Sequence, residues 1–172
     1  CHCPPRMRHD DPDLWVRRRL RVSYSELGAI DPAARFETLR ARIFEYGVYS
    51  DTTCEVEIDE APPLPLNREA LEIAIEVALL LNMDVVDEVH VMRKIVVDGS
   101  NTTGFQRTAL VAIGNENSLI PTSRGDVRVA TLCLEEESAY IIETTPEGAK
   151  YRLDRLGIPL VEIATEADIH HP

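Results

Sequence analysis

The sequence predicts an α+β fold: a mostly antiparallel sheet with helices packed on one face. Three observations predict it. Two segments in the first half place apolar residues at helical spacing behind capping residues. From Val89 onward the period changes to the alternation of strands, punctuated by dense turn formers. At 172 residues and 44% apolar content the chain is long enough to bury a core and fits one domain, or one domain with a small appendage.

Each element follows from local chemistry. Residues 1–24 are basic and aperiodic until Trp15–Val22, which reads as a strand. Asp31-Pro32 starts a helix, with Asp as N-cap and Pro at the first helical position. Phe36, Leu39 and Ile43 form its apolar stripe, and Gly47 supplies the stop. Cys54, Val56 and Ile58 alternate with acids, so 53–59 reads as a half-buried strand, and 61–66 as a rigid Pro-rich connector. Asn67 caps a second helix running to about Leu81, with Leu71, Ile75, Ala78 and Leu79 as the buried stripe. Strands are expected at 89–97 and 105–113, joined by the turn-rich segment 98–104. Residues 114–126 read as a long hairpin connection. Extended segments follow at 127–137, 138–144, 151–154 and 159–164, with a turn at Thr145-Pro146-Glu147-Gly148.

Charge and cysteine content exclude several classes. The net charge of −12 argues against a protein that coats nucleic acid with its whole surface. Arg6, Arg8, Arg17, Arg18, Arg19 and Arg21 nevertheless crowd the N-terminal segment. That run reads either as a solvated edge paired with nearby acids or as a phosphate-facing patch. No apolar run approaches the ~20 residues of a membrane span, and the first residues, CHCPPRMRHDD, carry no apolar h-region, so no secretory leader is expected. Four unevenly spaced cysteines fit a reduced, cytoplasmic compartment. Asn101-Thr102-Thr103 matches a glycosylation sequon, read as chance without a secretory signal. The chain starts at Cys1 and ends without an element-closing signal, so it is expected to be an internal fragment of a longer protein.

Four constellations carry chemistry. Glu135-Glu136-Glu137 closes a strand. Alternation points Glu135 and Glu137 to one face and Glu136 to the other. Adjacent carboxylates suit Mg²⁺, which takes hard oxygens and keeps waters for a nucleotide phosphate; a solvated strand end is the alternative. Arg93 and Lys94, then Asp98, Gln106 and Arg107, fall on either side of the turn-rich segment. Arg and Lys neutralise phosphate charge and Gln can orient a nucleophile; cross-strand charge pairing is the alternative. In the segment 151–168, Asp154 and Arg155 precede Gly157-Ile158-Pro159. Glu162 sits between Val161 and Ile163, where a carboxylate is costly unless paired or metal-bound. Cys1, Cys3 and Cys54 supply three of the four ligands Zn²⁺ wants; His2 is too close to the pair to be a comfortable fourth. Cys133, between Leu132 and Leu134, reads as a core thiol, and His90 as a strand histidine outside any site. Gly-rich phosphate loops, nucleophile elbows and Cys/His pairs at useful spacing are missing from the sequence.

Taken together, CHCPPR, DTTC, PPLPLNREALEIA, DEVHVMRKIVVDGSNTTGFQRTALVA, CLEEESA and YRLDRLGIPLVEIAT resemble the E subunits of the archaeal glutamyl-tRNA(Gln) amidotransferases, relatives of the bacterial B subunits (the GatB/GatE family). The shared pattern falls here on Arg93, Lys94, Asp98, Gln106, Glu135, Glu136, Arg155, Gly157, Pro159 and Glu162. The resemblance implies a glutamine-synthetase-like cradle. It implies ATP and Mg²⁺ as cofactors, with glutamate on tRNA(Gln) phosphorylated at its side-chain carboxylate. It implies ammonia from an amidase or asparaginase-like partner, the D subunit, in a heterotetrameric parent. Glu135, Glu136 and Glu162 would hold Mg²⁺; Arg93, Lys94 and Arg155 would contact phosphate; Asp98 and Gln106 would position substrate. By the same resemblance, 1–172 would be a partial catalytic domain. It would lack the family's first strand, with its metal-binding Glu and His, and the tRNA-binding domains that follow the cradle. The bacterial relatives carry a fuller cysteine set.

Overall fold

A computed structural model describes Cys3 and residues 6–170. The elements run β1 (Leu14–Arg19), α1 (Pro32–Leu39), β2 (Ile43–Val48), α2 (Arg68–Leu80), β3 (Asp84–Val85), β4 (Val91–Ile95), β5 (Phe105–Ile113), β6 (Leu119–Thr122), β7 (Gly125–Glu136), β8 (Tyr140–Thr145), β9 (Gly148–Arg152) and β10 (Pro159–Thr165). The fold is α+β with mostly antiparallel pairing, as the sequence predicts; the parallel β2–β9 pair is the exception. The chain forms two compact units. The first draws on Cys1–Leu64, Arg93–Gln106 and Glu136–Ile158, the second on Pro65–Met92, Arg107–Glu135 and Pro159–Pro172. The boundary falls within β4, β5 and β7.

The first unit is built on a four-stranded sheet of order β1-β2-β9-β8. Its core gathers Phe44, Tyr46, Ala139, Ala149, Tyr151 and Leu153. Parallel register sets Tyr46 directly opposite Tyr151, so the two rings stack with centroids 5.8 Å apart. Gly47 lies inside β2, where a Cβ would stand 2.4 Å from Pro12. It makes room for the incoming N-terminal segment and is not the helix stop the sequence pattern assigns.

In the second unit, α2 packs on the sheet of order β10-β7-β5-β3, to which β4 and β6 add by pairing with β5 and β7. Ala74 and Ala78 are fully buried against Ala109, Val111, Leu132 and Leu134. Two small residues one turn apart let the helix approach the sheet closely, with Leu71 and Ile75 packed at the flanks. Asn67 Oδ1 accepts from Ala70 N at 3.0 Å, confirming the cap.

Several expectations are corrected. The Asp31 cap holds, its carboxylate accepting from Ala33 N and Ala34 N, but α1 buries only Ala34. Phe36 is 63% and Leu39 80% exposed, and Ile43 opens β2 because its N–H donates to Glu147 O. Ala41, at φ 52°, ends the helix. Leu79, assigned to the buried stripe of α2, is 60% exposed. Segment 53–59 is a turn. Glu57 Oε2 accepts from Cys54 N at 2.6 Å, and Cys54 O accepts from Glu57 N and Ile58 N; these local bonds replace ladder bonds. The connection at 114–126 contains β6, closed onto β7 by a tight turn between Thr122 and Gly125.

Candidate functional site

The acidic strand end is tied down residue by residue. Glu135 sits opposite Thr108 in the β5–β7 ladder and is 2% exposed, and Thr108 Oγ1 donates to its Oε1 at 2.9 Å. Alternation turns Glu136 the other way, half-buried, and Gln106 Nε2 donates to the Glu136 carbonyl at 2.8 Å. Glu137 holds the next segment by three bonds. Its carboxylate takes Arg155 Nη2 at 2.7 Å, its N–H donates to Ile158 O, and its carbonyl accepts from Gly157 N. The bond from Glu137 raises the Arg155 pKa above its ordinary value. The sequence singles out Arg155 for phosphate chemistry but shows nothing of this ion pair. Glu137 is the residue that reading left without a role.

Arg93 and Lys94 are exposed on β4, and the Arg93 guanidinium lies 5.8 Å from the centroid of the Phe105 ring, a cation–π arrangement that steadies the side chain. Asp98 is exposed, and its Oδ1 accepts from Ser100 N at 2.9 Å. The turn after it rests on an aromatic floor. Tyr151 OH donates to Asp98 O at 2.8 Å and Tyr46 OH to Gly99 O at 2.6 Å. Burial pushes both phenols up, Tyr151 to about 12, so each stays a donor at physiological pH.

Glu162 is corrected. It is exposed on β10, at the edge of the sheet path, so the cost of a buried carboxylate does not apply to it. Glu135 and Glu162 belong to the second unit; Arg93, Lys94, Asp98, Gln106, Glu136 and Arg155 belong to the first.

Among the described residues, one trio of metal-ligating atoms gathers within 4.8 Å: Cys3, Cys54 and Glu57. The first two are candidates from sequence; Cys1 lies outside the described residues. Glu57 is the unforeseen member, 5% exposed, on the turn that replaces the expected strand. Burial, with the neighbouring Cys54 and Glu57, pushes the Cys3 thiol up to about 12. The arginine-rich start is an ion-paired edge. Arg6 and Arg8 meet Asp51, Arg8 also Asp10, Arg17 Glu45, Arg18 Glu60 and Arg21 Asp59. This pairing consumes much of the charge a phosphate-facing patch would offer.

A family model described as the GatB/GatE catalytic domain matches residues 38–172, and the chain belongs to that family. The resemblance carried by the motifs is thereby borne out. Particular relatives sharpen it. The chain is 57% identical over 173 residues to the glutamyl-tRNA(Gln) amidotransferase E subunit of Archaeoglobus fulgidus, covering all of this chain and 28% of that protein. It is 54% identical over 172 residues to the protein of the same name from Methanocaldococcus jannaschii, and 52% to that from Methanothermobacter thermautotrophicus, covering all of this chain and 27% of each. The chain thus spans little more than a quarter of these relatives. Among the described residues no helix is long and apolar enough to cross a membrane.

Proposed function

We propose that residues 1–172 are part of the catalytic cradle of an ATP- and Mg²⁺-dependent enzyme that amidates Glu-tRNA(Gln) to Gln-tRNA(Gln). Membership of residues 38–172 in the GatB/GatE catalytic family carries this reading. The glutamate γ-carboxylate attacks the ATP γ-phosphorus and ADP leaves. Ammonia from an amidase-type partner, the D subunit, then attacks the γ-phosphoryl-glutamyl carbonyl and phosphate leaves. The parent would be a cytoplasmic heterotetramer.

The chain's own residues have definable tasks. Arg93 and Lys94, exposed on β4, neutralise charge on the transferring phosphoryl group. Arg155 joins them with its orientation fixed by Glu137. Asp98 and Gln106 orient the acceptor glutamate, Gln106 from a position set by the Glu136 carbonyl. By the family pattern Glu135, Glu136 and Glu162 are each candidate hard-oxygen donors for Mg²⁺, Glu135 and Glu162 in the second unit and Glu136 in the first, and the Thr108 hydroxyl orients Glu135 as an outer-shell partner would. A bound Mg²⁺ would supply charge neutralisation for the phosphate groups. Cys3, Cys54 and Glu57 suit Zn²⁺, which accepts both thiolate and carboxylate; Cys1, a further candidate from the sequence, lies outside the described residues.

The test is Glu162→Ala in the full-length parent. Because Glu162 is exposed, its loss should leave the fold intact. Mg²⁺-dependent amidation should fall by no less than the roughly 10–100-fold that removal of an outer-shell partner costs. Unimpaired conversion would instead favour a non-catalytic RNA- or protein-binding module.

A further inference from the structure

Three consecutive carbonyls of one turn are each claimed by a donor from the core of the first unit. Asp98 O takes Tyr151 OH, Gly99 O takes Tyr46 OH, and Ser100 O takes Ala139 N at 2.9 Å. The two hydroxyls arrive side by side because β2 and β9 pair in parallel with Tyr46 opposite Tyr151. Phe44, 1% exposed, completes the floor: a Cβ on Gly99 would lie 2.4 Å from its ring, and Gly99 sits at φ +88°. Both tyrosines are almost fully buried, at 3% and 2% exposure. Packing alone would be met by phenylalanine; a buried hydroxyl is retained where its bond matters. The turn's exposed product is the Asp98 carboxylate, itself set by Ser100 N.

We propose that Tyr46 and Tyr151 are positioning residues of the reaction: they hold the Asp98–Ser100 turn so that the Asp98 carboxylate has a fixed place before substrate arrives. This rests on the substrate-orienting role given to Asp98 above. Neither tyrosine touches substrate. They act through the backbone of the residue that does, by the principle that a misplacement of about 1 Å costs roughly a hundredfold in rate. Sequence spacing gives no sign of the pair, since its members lie on strands far apart in the chain.

The experiment uses the full-length parent with Tyr46→Phe, Tyr151→Phe and Asp98→Ala, singly and combined. Hydrogen exchange of the peptide covering 96–104 should quicken in either Phe variant while peptides from β2 and β9 keep their protection. The amidation rate at saturating ATP should fall about tenfold or more in each Phe variant. In the Asp98→Ala background the same Tyr→Phe changes should cost nothing further, because they act through Asp98. Unchanged exchange at 96–104 overturns the proposal, and so does a Phe penalty that persists undiminished without Asp98. Asp98→Ala with full activity would refute the role given to Asp98, while the exchange rates still decide whether the tyrosines hold the turn.

Discussion

Replacing Gly99 with alanine tests the seat of the Asp98 turn, with Gly28→Ala as an internal control in the same unit. Both glycines have positive φ, +88° and +76°. An alanine in that region costs about 1–2 kcal/mol, partly offset in both cases by about 0.4–1 kcal/mol from the stiffer unfolded chain. The two sites differ in their surroundings. Gly28 has nothing within 4 Å of an added Cβ, whereas at Gly99 three Phe44 ring atoms lie at 2.4–2.6 Å. Phe44 is 1% exposed and packs against Tyr151 at a centroid distance of 6.4 Å, so its ring has little room to move. Forcing a methyl group into such a site costs about 1–3 kcal/mol beyond the strain. Because backbone strain and unfolded-state terms largely cancel between the variants, that steric figure is the expected difference. At a urea m-value of about 2 kcal/mol/M it separates the two midpoints by about 0.5–1.5 M, readable by far-UV circular dichroism. Coincident midpoints would refute the claim that Phe44 and the turn are rigidly packed.

Two further tests address other parts of the molecule. Arg128 binds Asp168 through Nη2 at 2.7 Å and Nε at 3.0 Å, and its N–H donates to the same carboxylate. Chiefly through the side-chain bond, the Asp168 pKa drops from 3.8 to about 2. A lowered carboxylate pKa means the tether is fully present above pH 3.8 and is lost as pH falls through about 2. Asp168 should therefore titrate near 2 by carboxyl carbon NMR and return toward 3.8 in Arg128→Ala; a normal midpoint in the unsubstituted chain would contradict the bidentate geometry. For the cysteine cluster, Co²⁺ added as a zinc surrogate should give a thiolate charge-transfer band that Cys54→Ser abolishes and Glu57→Gln weakens. A band untouched by both substitutions would place the metal elsewhere.

The parts of this fold legible in the sequence are those set by neighbours a few positions apart. Asp31-Pro32 and Asn67 announce their helices because a cap reaches only two or three residues. The bounds of β5 match expectation because turn formers end abruptly at Gly104, whose φ of +76° suits glycine. Where a distant partner decides, the pattern misleads. Phe36 and Leu39 have helical spacing, yet Ile43 is drawn into β2 by Glu147, far along the chain. Residues 53–59 alternate like a strand, yet the Glu57 side chain folds them into a turn.

The site divides along the same line. Residue types at the strand ends announce Glu135, Arg155 and Asp98, because carboxylates and guanidinium groups at such places need a reason. What holds Glu135 and the Asp98 turn is contributed from far along the chain, by Thr108 and by the Tyr46–Tyr151 pair, and Arg155 is held by Glu137 on the far side of β8 and β9. The groups that would meet substrate keep their identity in short motifs, whereas the groups that position them depend on strand register. A hydroxyl at Tyr46 is useful only because β9 brings Tyr151 beside it and the turn above presents two successive carbonyls. Variation at these supporting positions should therefore be felt in rate while chemical identity at the motif is unchanged, and that is the separation the Tyr→Phe and Asp98→Ala cycle measures.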